Sequence, residues 1–481
     1  MKKGDLIDLE IEKYAFEGKG IAKINADKNK PGEDGTKENK FVVFVEGAYP
    51  GDNVTARVLK VKKSFAEAAV IKINSPSRFR TDARCIHFGT CGGCKQQDMD
   101  YNAQVKFKQE QVEEIFRKMG GFNNFIVEEI LPSEKIFFYR NKMEFSFSDK
   151  MWLTKEEISS GKSFEKNFAL GLHIPGIYDK VLDITRCYLQ SELSNKILDL
   201  TRTFFKNKNI LPYSTKTNSG YLRNLVIKDS HYNNDLMVNL VTSEENDSLM
   251  TEYAGFLIER VPEITTIVNN INLKKAAVAA GDYERIYHGS GFIYDAIGSY
   301  KFRVSANSFF QTNTLQAEKL YKTALDFAGP AGEETVYDLY SGAGTISIFV
   351  SGRAKEVYAF ESAASAVSDA EENKKINNVP NVHFFTADLY KSFLPLVEEK
   401  KLPLPHTVIL DPPRSGMHRN TVDDVIKLNP EKIVYVSCNP ATQVRDIKLF
   451  TQAGYNLEEI RPVDMFPHTY HIENVALLER K

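Results

Sequence analysis

The chain of 481 residues is too long for one ordinary core, and length alone suggests about three domains. Hydrophobic residues make up 42% and charged residues 26%, which excludes a disordered or membrane-embedded chain. No apolar run approaches transmembrane length and no secretory h-region follows Met1-Lys2-Lys3-Gly4-Asp5, so a cytoplasmic protein with no membrane partner is expected; the net charge of -2 selects no other partner.

Residues 1–74 alternate polar and apolar in short runs, Leu6 to Ile11, Phe41 to Val45 and Asn53 to Val58, separated by glycine turns. This is the pattern of a small β-barrel. Ala26 to Lys40 is a polar stretch that reads as an exposed loop insertion. Residues 1–80 carry 16 Lys and Arg against 12 Asp and Glu, a mild excess compatible with touching a polyanion.

Next comes Cys85-Ile86-His87-Phe88-Gly89-Thr90-Cys91-Gly92-Gly93-Cys94. A cytosolic chain is a poor place for structural disulfides, so a tight cysteine cluster points to a metal centre. Cys187 is the expected fourth ligand, because using Cys438 would remove a candidate nucleophile. Three clustered thiols and a distant one suit a 4Fe-4S cluster or a structural zinc, and spacing does not separate them. His87 is a further possible ligand.

Tyr101 to Gly120 reads as a helix with Val105, Val112, Ile115, Phe116 and Met119 on one face and Gly120-Gly121 as its stop. Residues 130–300 are strand-rich, in hairpin-like pieces. Arg140, Lys142 and Arg223 are candidates to meet phosphates there, though a solvated sheet face is the ordinary fate of such residues.

The final third reads as a doubly wound α/β sheet. Thr335 to Ile348 gives a strand, a glycine turn with Gly342 and Gly344, and a helix start. Apolar strands then end in Glu361, Asp388 and Asp411 in turn. A dinucleotide fingerprint would place a third glycine where Ser347 stands, so a nicotinamide is disfavoured. The glycine loop can instead pass beside an amino acid moiety, with Glu361 on the ribose hydroxyls and Asp388 near an adenine edge. That combination suggests S-adenosylmethionine. Asp411-Pro412-Pro413-Arg414 holds a carboxylate toward the crevice, because two prolines keep the loop extended. Ile433 to Val436 is a buried strand stopped by Cys438 and the turn pair Asn439-Pro440, which puts a thiol at a strand end.

Together, Phe309-Phe310-Gln311-Thr312-Asn313, Asp338 to Gly344, Asp411 to Arg414, Ser437 to Pro440 and Asp464 to Glu473 resemble the RNA uracil-5 methyltransferases. The likeness extends over the whole chain. It implies a TRAM β-barrel over residues 1–74, a central α+β domain with an iron-sulfur cluster over 75–302, and a Rossmann-like methyltransferase domain over 303–481, with the helix near 100–120 packed on the last. The combination of TRAM barrel and cluster resembles the 23S ribosomal RNA enzymes. By this resemblance Cys438 is the nucleophile, Glu473 the base, and Gln311, Tyr340, Glu361 and Asp411 contact the cofactor or target base, with Asp388 a softer match. Cys85, Cys91, Cys94 and Cys187 match the cluster ligands, favouring iron-sulfur over zinc.

The chemistry accounts for these residue types. Thiolate addition at uracil carbon 6 makes carbon 5 nucleophilic enough to accept a methyl group, and a base must then remove the carbon 5 proton. Asp411 would accept from uracil N3-H and so reject cytosine. The base leaves its stack to be reached, with Phe309 or Phe310 as its new stacking partner. A transfer RNA substrate and a non-catalytic RNA-binding protein are the competing expectations. A cytosine-5 methyltransferase would show Pro-Cys or Thr-Cys where Ser437-Cys438 stands, and an amino-group methyltransferase would need no cysteine. One chain holds every catalytic part, so a monomer would suffice.

Overall fold

The computed structural model describes residues 1–25, 40–275 and 279–481. The polar stretch read as a loop insertion lies, apart from Lys40, outside these residues. Among the described residues no helix is long and apolar enough to cross a membrane.

The N-terminal unit is a six-stranded sheet formed by residues 6–25 and 40–75. Alternate residues point to one face of a strand, and Val43 with Val45, Val54 with Ala56, and Ala66 with Ala68 are buried on that period around Leu9 and Ile11. Residues 76–100, which carry the cysteine triplet, contain no helix or strand longer than a single bridge. Arg80 ties them to the first sheet through a two-pronged contact with buried Asp52, from Nε at 2.9 Å and from the terminal nitrogen at 2.8 Å.

The central sheet has eight strands spanning residues 142–288. One face is apolar. Met143, Phe145, Phe147, Leu225, Ile227, Val238 and Leu240 pack there against the helices Glu192–Asn207 and Asp247–Arg260. Asn224, Lys228, Asn239 and Asn270 fall on the opposite face by the two-residue period, and all four are buried.

The C-terminal sheet runs in the order Val382–Thr386, Glu356–Glu361, Thr335–Leu339, Thr407–Leu410, Lys432–Ser437, Glu473–Arg480, Tyr455–Val463, Ile126–Val127. The first five strands are parallel and buried on both faces: Val336, Val357, Ile409 and Val434 turn one way, while Tyr337, Phe360, Val408 and Tyr435 turn the other. Strand order reverses between Thr335–Leu339 and Thr407–Leu410, which opens a crevice at their carboxyl ends. A division at 302/303 would cut the strand Tyr300–Ser305, whose Phe302 and Val304 join the core of this sheet.

The helix Tyr101–Glu114 starts at Asp100, whose side chain accepts from the Ala103 amide, and closes in a π-helical turn, Ile115–Gly120. Its inner face keeps Val112 and Phe116 of the apolar stripe read from the sequence but is otherwise different. Gln104, Phe107, Lys108 and Gln111 are buried, whereas Met119 is exposed. Part of the reason is what lies beneath: the loop Asp464 to Ile472 presents a carboxylate, the Phe466 carbonyl and the His468 amide, which Lys108 and Gln104 satisfy. Lys108 Nζ stands 2.6 Å from Asp464 Oδ1, both side chains being almost inaccessible.

Candidate active site

The sheet register sets the centre of the site. Lys432–Ser437 and Glu473–Arg480 are antiparallel, with Ser437 opposite Asn474. One residue further out on each strand lie Cys438 and Glu473, side by side at the crevice. Both line a cavity of about 1310 Å³, together with Gln311, Tyr340, Gly342, Glu361, Asp411 and Arg414. Small-molecule sites usually occupy about 300–1,000 Å³, so this one has room for a second group beside a cofactor.

Burial governs the ionisation of its polar groups. The Cys438 thiol is pushed up to about 12, by burial first and then by the charges of Glu473 and Asp411, with Arg414 opposing. Burial, reinforced by Asp411, holds the Glu473 carboxyl well above the ordinary carboxylate range. Burial alone raises Asp411 to about 7. Such displaced groups clustered in a cleft mark a chemical site.

Glu361 holds the glycine loop. Its Oε2 accepts from the Gly342 amide at 3.1 Å and its Oε1 from the Ala363 amide at 2.8 Å. Tyr340 turns the chain into that loop with a left-handed backbone, φ 68°.

Three residues expected here stand elsewhere. Asp388 is exposed, its Oδ1 accepts from the Tyr390 amide and its Oδ2 faces Lys391 at 3.4 Å; Leu389 and Tyr390 line the cavity instead. Phe310 is buried against Phe302, leaving Phe309, 69% exposed, as the one of the pair that lines the cavity. Gly344 serves packing rather than the cavity: at φ 79° a Cβ there would meet the Phe384 ring at 2.5 Å. Arg140, Glu284, Asp369, Phe466, Thr469 and His471 also line the cavity. Only Arg140 and the last three fall in stretches that sequence reading singles out.

Cys85, Cys91, Cys94 and Cys187 line a second, mostly apolar cavity of about 160 Å³. Burial pushes Cys91 up to about 11 and Cys94 up to about 12, and raises Cys85 and Cys187. Donors already point at sulfur, the Gly93 amide at 3.3 Å from Cys91 Sγ and the Gln97 amide at 3.2 Å from Cys94 Sγ. Four thiols, an apolar shell and N–H donors to sulfur form a donor set that fits a thiolate-held cluster. Among the described residues no group of three or more His, Cys, Asp or Glu is gathered tightly enough to hold a metal ion as it stands. His87 is committed elsewhere, its Nε2 lying 3.0 Å from Thr185 Oγ1. Gly93 and Arg140 line both cavities and so form the wall between them.

Residues 278–481 match the tRNA (Uracil-5-)-methyltransferase family and residues 2–71 the TRAM domain. An uncharacterized RNA methyltransferase of Chlorobaculum tepidum is 41% identical, covering 100% of this chain and 97% of that protein. A second, from Bacteroides thetaiotaomicron, is 39% identical over 97% of this chain and 99% of its own. Among solved structures, the tRNA (uracil-54, C5)-methyltransferase of Pyrococcus abyssi in complex with S-adenosyl-L-homocysteine is 29% identical, with a TM-score of 0.73 over 98% of this chain and 99% of that one. The chain therefore belongs to the RNA uracil-5-methyltransferase family and carries a TRAM domain at its N-terminal end.

Proposed function

We propose that this enzyme methylates carbon 5 of a uridine in 23S ribosomal RNA through a covalent bond between Cys438 and uracil carbon 6. The observation that carries this reading is the placement of Cys438 beside Glu473 by strand register, in a cavity that also holds Asp411.

S-adenosylmethionine, when bound, supplies the methyl group. The carboxyl groups of Glu284, Glu361, Asp369, Asp411 and Glu473 line the cavity, which suits a cofactor bearing a sulfonium and an ammonium. Gly342, Tyr340, Gln311 and Glu361 form its berth. Phe309 stacks on the extruded base, and the Asp411 carboxylate accepts from N3-H. Cys438 loses its proton to solvent and its sulfur bonds to carbon 6; a thiol of high proton affinity gives a strongly nucleophilic thiolate. Carbon 5 takes the methyl group. Glu473, its own proton first released to solvent, then removes the carbon 5 proton, the electron pair restores the ring double bond, and the carbon 6–sulfur bond breaks to return the thiolate. The raised proton affinity of Glu473 suits it to that removal.

The four cysteines would hold a 4Fe-4S cluster, which stiffens the wall at Gly93 and takes no part in methyl transfer. The barrel of residues 1–74 and the central unit of 75–302 grip the RNA, while 303–481 does the chemistry. A transfer RNA substrate is the second reading, favoured by the full-length likeness to the Pyrococcus abyssi protein. Nucleoside analysis of ribosomal and transfer RNA from cells with and without the gene tests both. Loss of 5-methyluridine from 23S RNA alone supports the first reading, loss from transfer RNA alone supports the second, and no loss from either overturns the reaction.

A further inference from the structure

The loop from Asp464 to Glu473 has two sides. Phe466, Thr469, His471 and Glu473 line the catalytic cavity. Three successive carbonyls on the other side are held by residues from the first third of the chain. Phe466 O accepts from Lys108 Nζ at 3.2 Å, Pro467 O from the Tyr139 hydroxyl at 3.1 Å, and His468 O from the amides of Lys95 and Gln96 at 2.8 and 3.0 Å.

His468 is the centre of this socket. It is 3% exposed and its backbone is left-handed, φ 65°. A side chain in that region is tolerated only where its surroundings over-determine it. Here the His468 amide donates to Gln104 Oε1 at 2.8 Å, the ring Nδ1 lies 3.2 Å from Gln104 Nε2, and the ring stacks on Phe137 at 4.4 Å. Gln104 Nε2 also donates to the carbonyls of Gln96 and Met99 at 2.9 and 2.8 Å, so one buried amide joins the loop to the segment after Cys94. The turn at His468 sends the following residues back to the cavity, five positions before Glu473.

Resting on the reading of Glu473 as the base, we infer that His468 is a positioning residue whose anchoring sets the Glu473 carboxyl against the carbon 5 proton. The same argument makes Gln104, on a different element, the second half of the anchor. Neither touches the nucleophile, so displacing the anchor slows proton removal and leaves the Cys438–carbon 6 bond free to form. The bound methylated RNA then accumulates on the enzyme.

The experiment measures steady-state turnover and, on a denaturing gel, the covalent protein–RNA adduct, using the full-length enzyme, S-adenosylmethionine and the substrate RNA identified by nucleoside analysis. In His468→Ala, kcat is expected to fall about tenfold or more with the RNA KM within about twofold, and adduct to accumulate as it does in Glu473→Gln. His468→Asn, which tolerates the left-handed backbone, should restore much of the turnover. Gln104→Leu carries the same test should His468→Ala fail to fold. Adduct in Glu473→Gln but none in a folded His468→Ala or Gln104→Leu, or unchanged kcat in them, overturns the inference alone. No adduct even in Glu473→Gln overturns the reading of the base, and the inference with it.

Discussion

Glu473 stands close enough to Cys438 that, once ionised, it adds to the proton affinity of a thiol that burial has already raised. On the reading of Cys438 as nucleophile, the thiolate is then the minor form at neutral pH. Single-turnover adduct formation should rise about tenfold per pH unit between roughly pH 6 and 9, as the thiolate fraction grows. A flat profile across that range, measured by quenching onto denaturing gels, would contradict it.

Replacing the thiol and replacing the acid should separate two steps. Cys438→Ala is expected to lose turnover by about 10⁴-fold or more and to form no adduct. Glu473→Gln should lose turnover to a similar degree while trapping RNA covalently. Mass spectrometry of the trapped species should find it already methylated.

Asp411 links function to stability. It keeps its proton up to about pH 7 when folded, against an ordinary value of 3.8, so the folded state binds more protons than the unfolded one between those values. Stability contributed by this group is complete below about pH 4 and falls as pH rises through 7. Asp411→Asn should lose about 10²-fold in kcat/KM, yet melt a few degrees above the parent at pH 8 and with a smaller advantage at pH 5. Thermal unfolding at the two pH values checks the sign.

The ion pair of Lys108 and Asp464 is buried on both sides. Lys108→Met leaves a carboxylate without its cation, a loss of about 3–5 kcal/mol in comparable sites. A melting point lowered by several degrees is expected, partly recovered in the Lys108→Met, Asp464→Asn pair.

Chain purified without oxygen should contain about four iron and four sulfide, as a 4Fe-4S centre requires, and Cys187→Ser should lose both. Metal and sulfide analysis decides it, and zinc in place of iron would refute the cluster.

Much of the C-terminal sheet is legible because its strands are short apolar runs ending in a carboxylate or a thiol, a local pattern. Asp388 shares that pattern and still faces solvent, because its carboxylate folds back onto the Tyr390 amide. The nearness of Glu473 to Cys438 depends on an antiparallel strand inserted beside Lys432–Ser437, and no local pattern marks such a pairing. Lys228 lies in the strand Leu222–Asp229, and no local signal marks it as an interior residue. It is buried because the carbonyls of Ser305 and Ser308, 77 and 80 residues away, accept from its ammonium at 2.6 and 3.0 Å. Gln104 and Lys108 escape the apolar reading of their helix for the same reason, since their partners lie far along the chain.

The socket under His468 also has a consequence in time. Its two halves, Gln104 and His468, lie 364 positions apart. At about 5–20 residues per second, roughly 20–70 s of synthesis separate them, during which the first sheet and the cysteine segment can join through Arg80 and Asp52 but have no C-terminal loop to hold. A nascent chain can fold its first sheet and bring out all four clustered thiols in that interval, but Glu473, the base of the proposed mechanism, arrives only with the last strand. On that reading activity switches on late in biogenesis, after the four thiols have all been made.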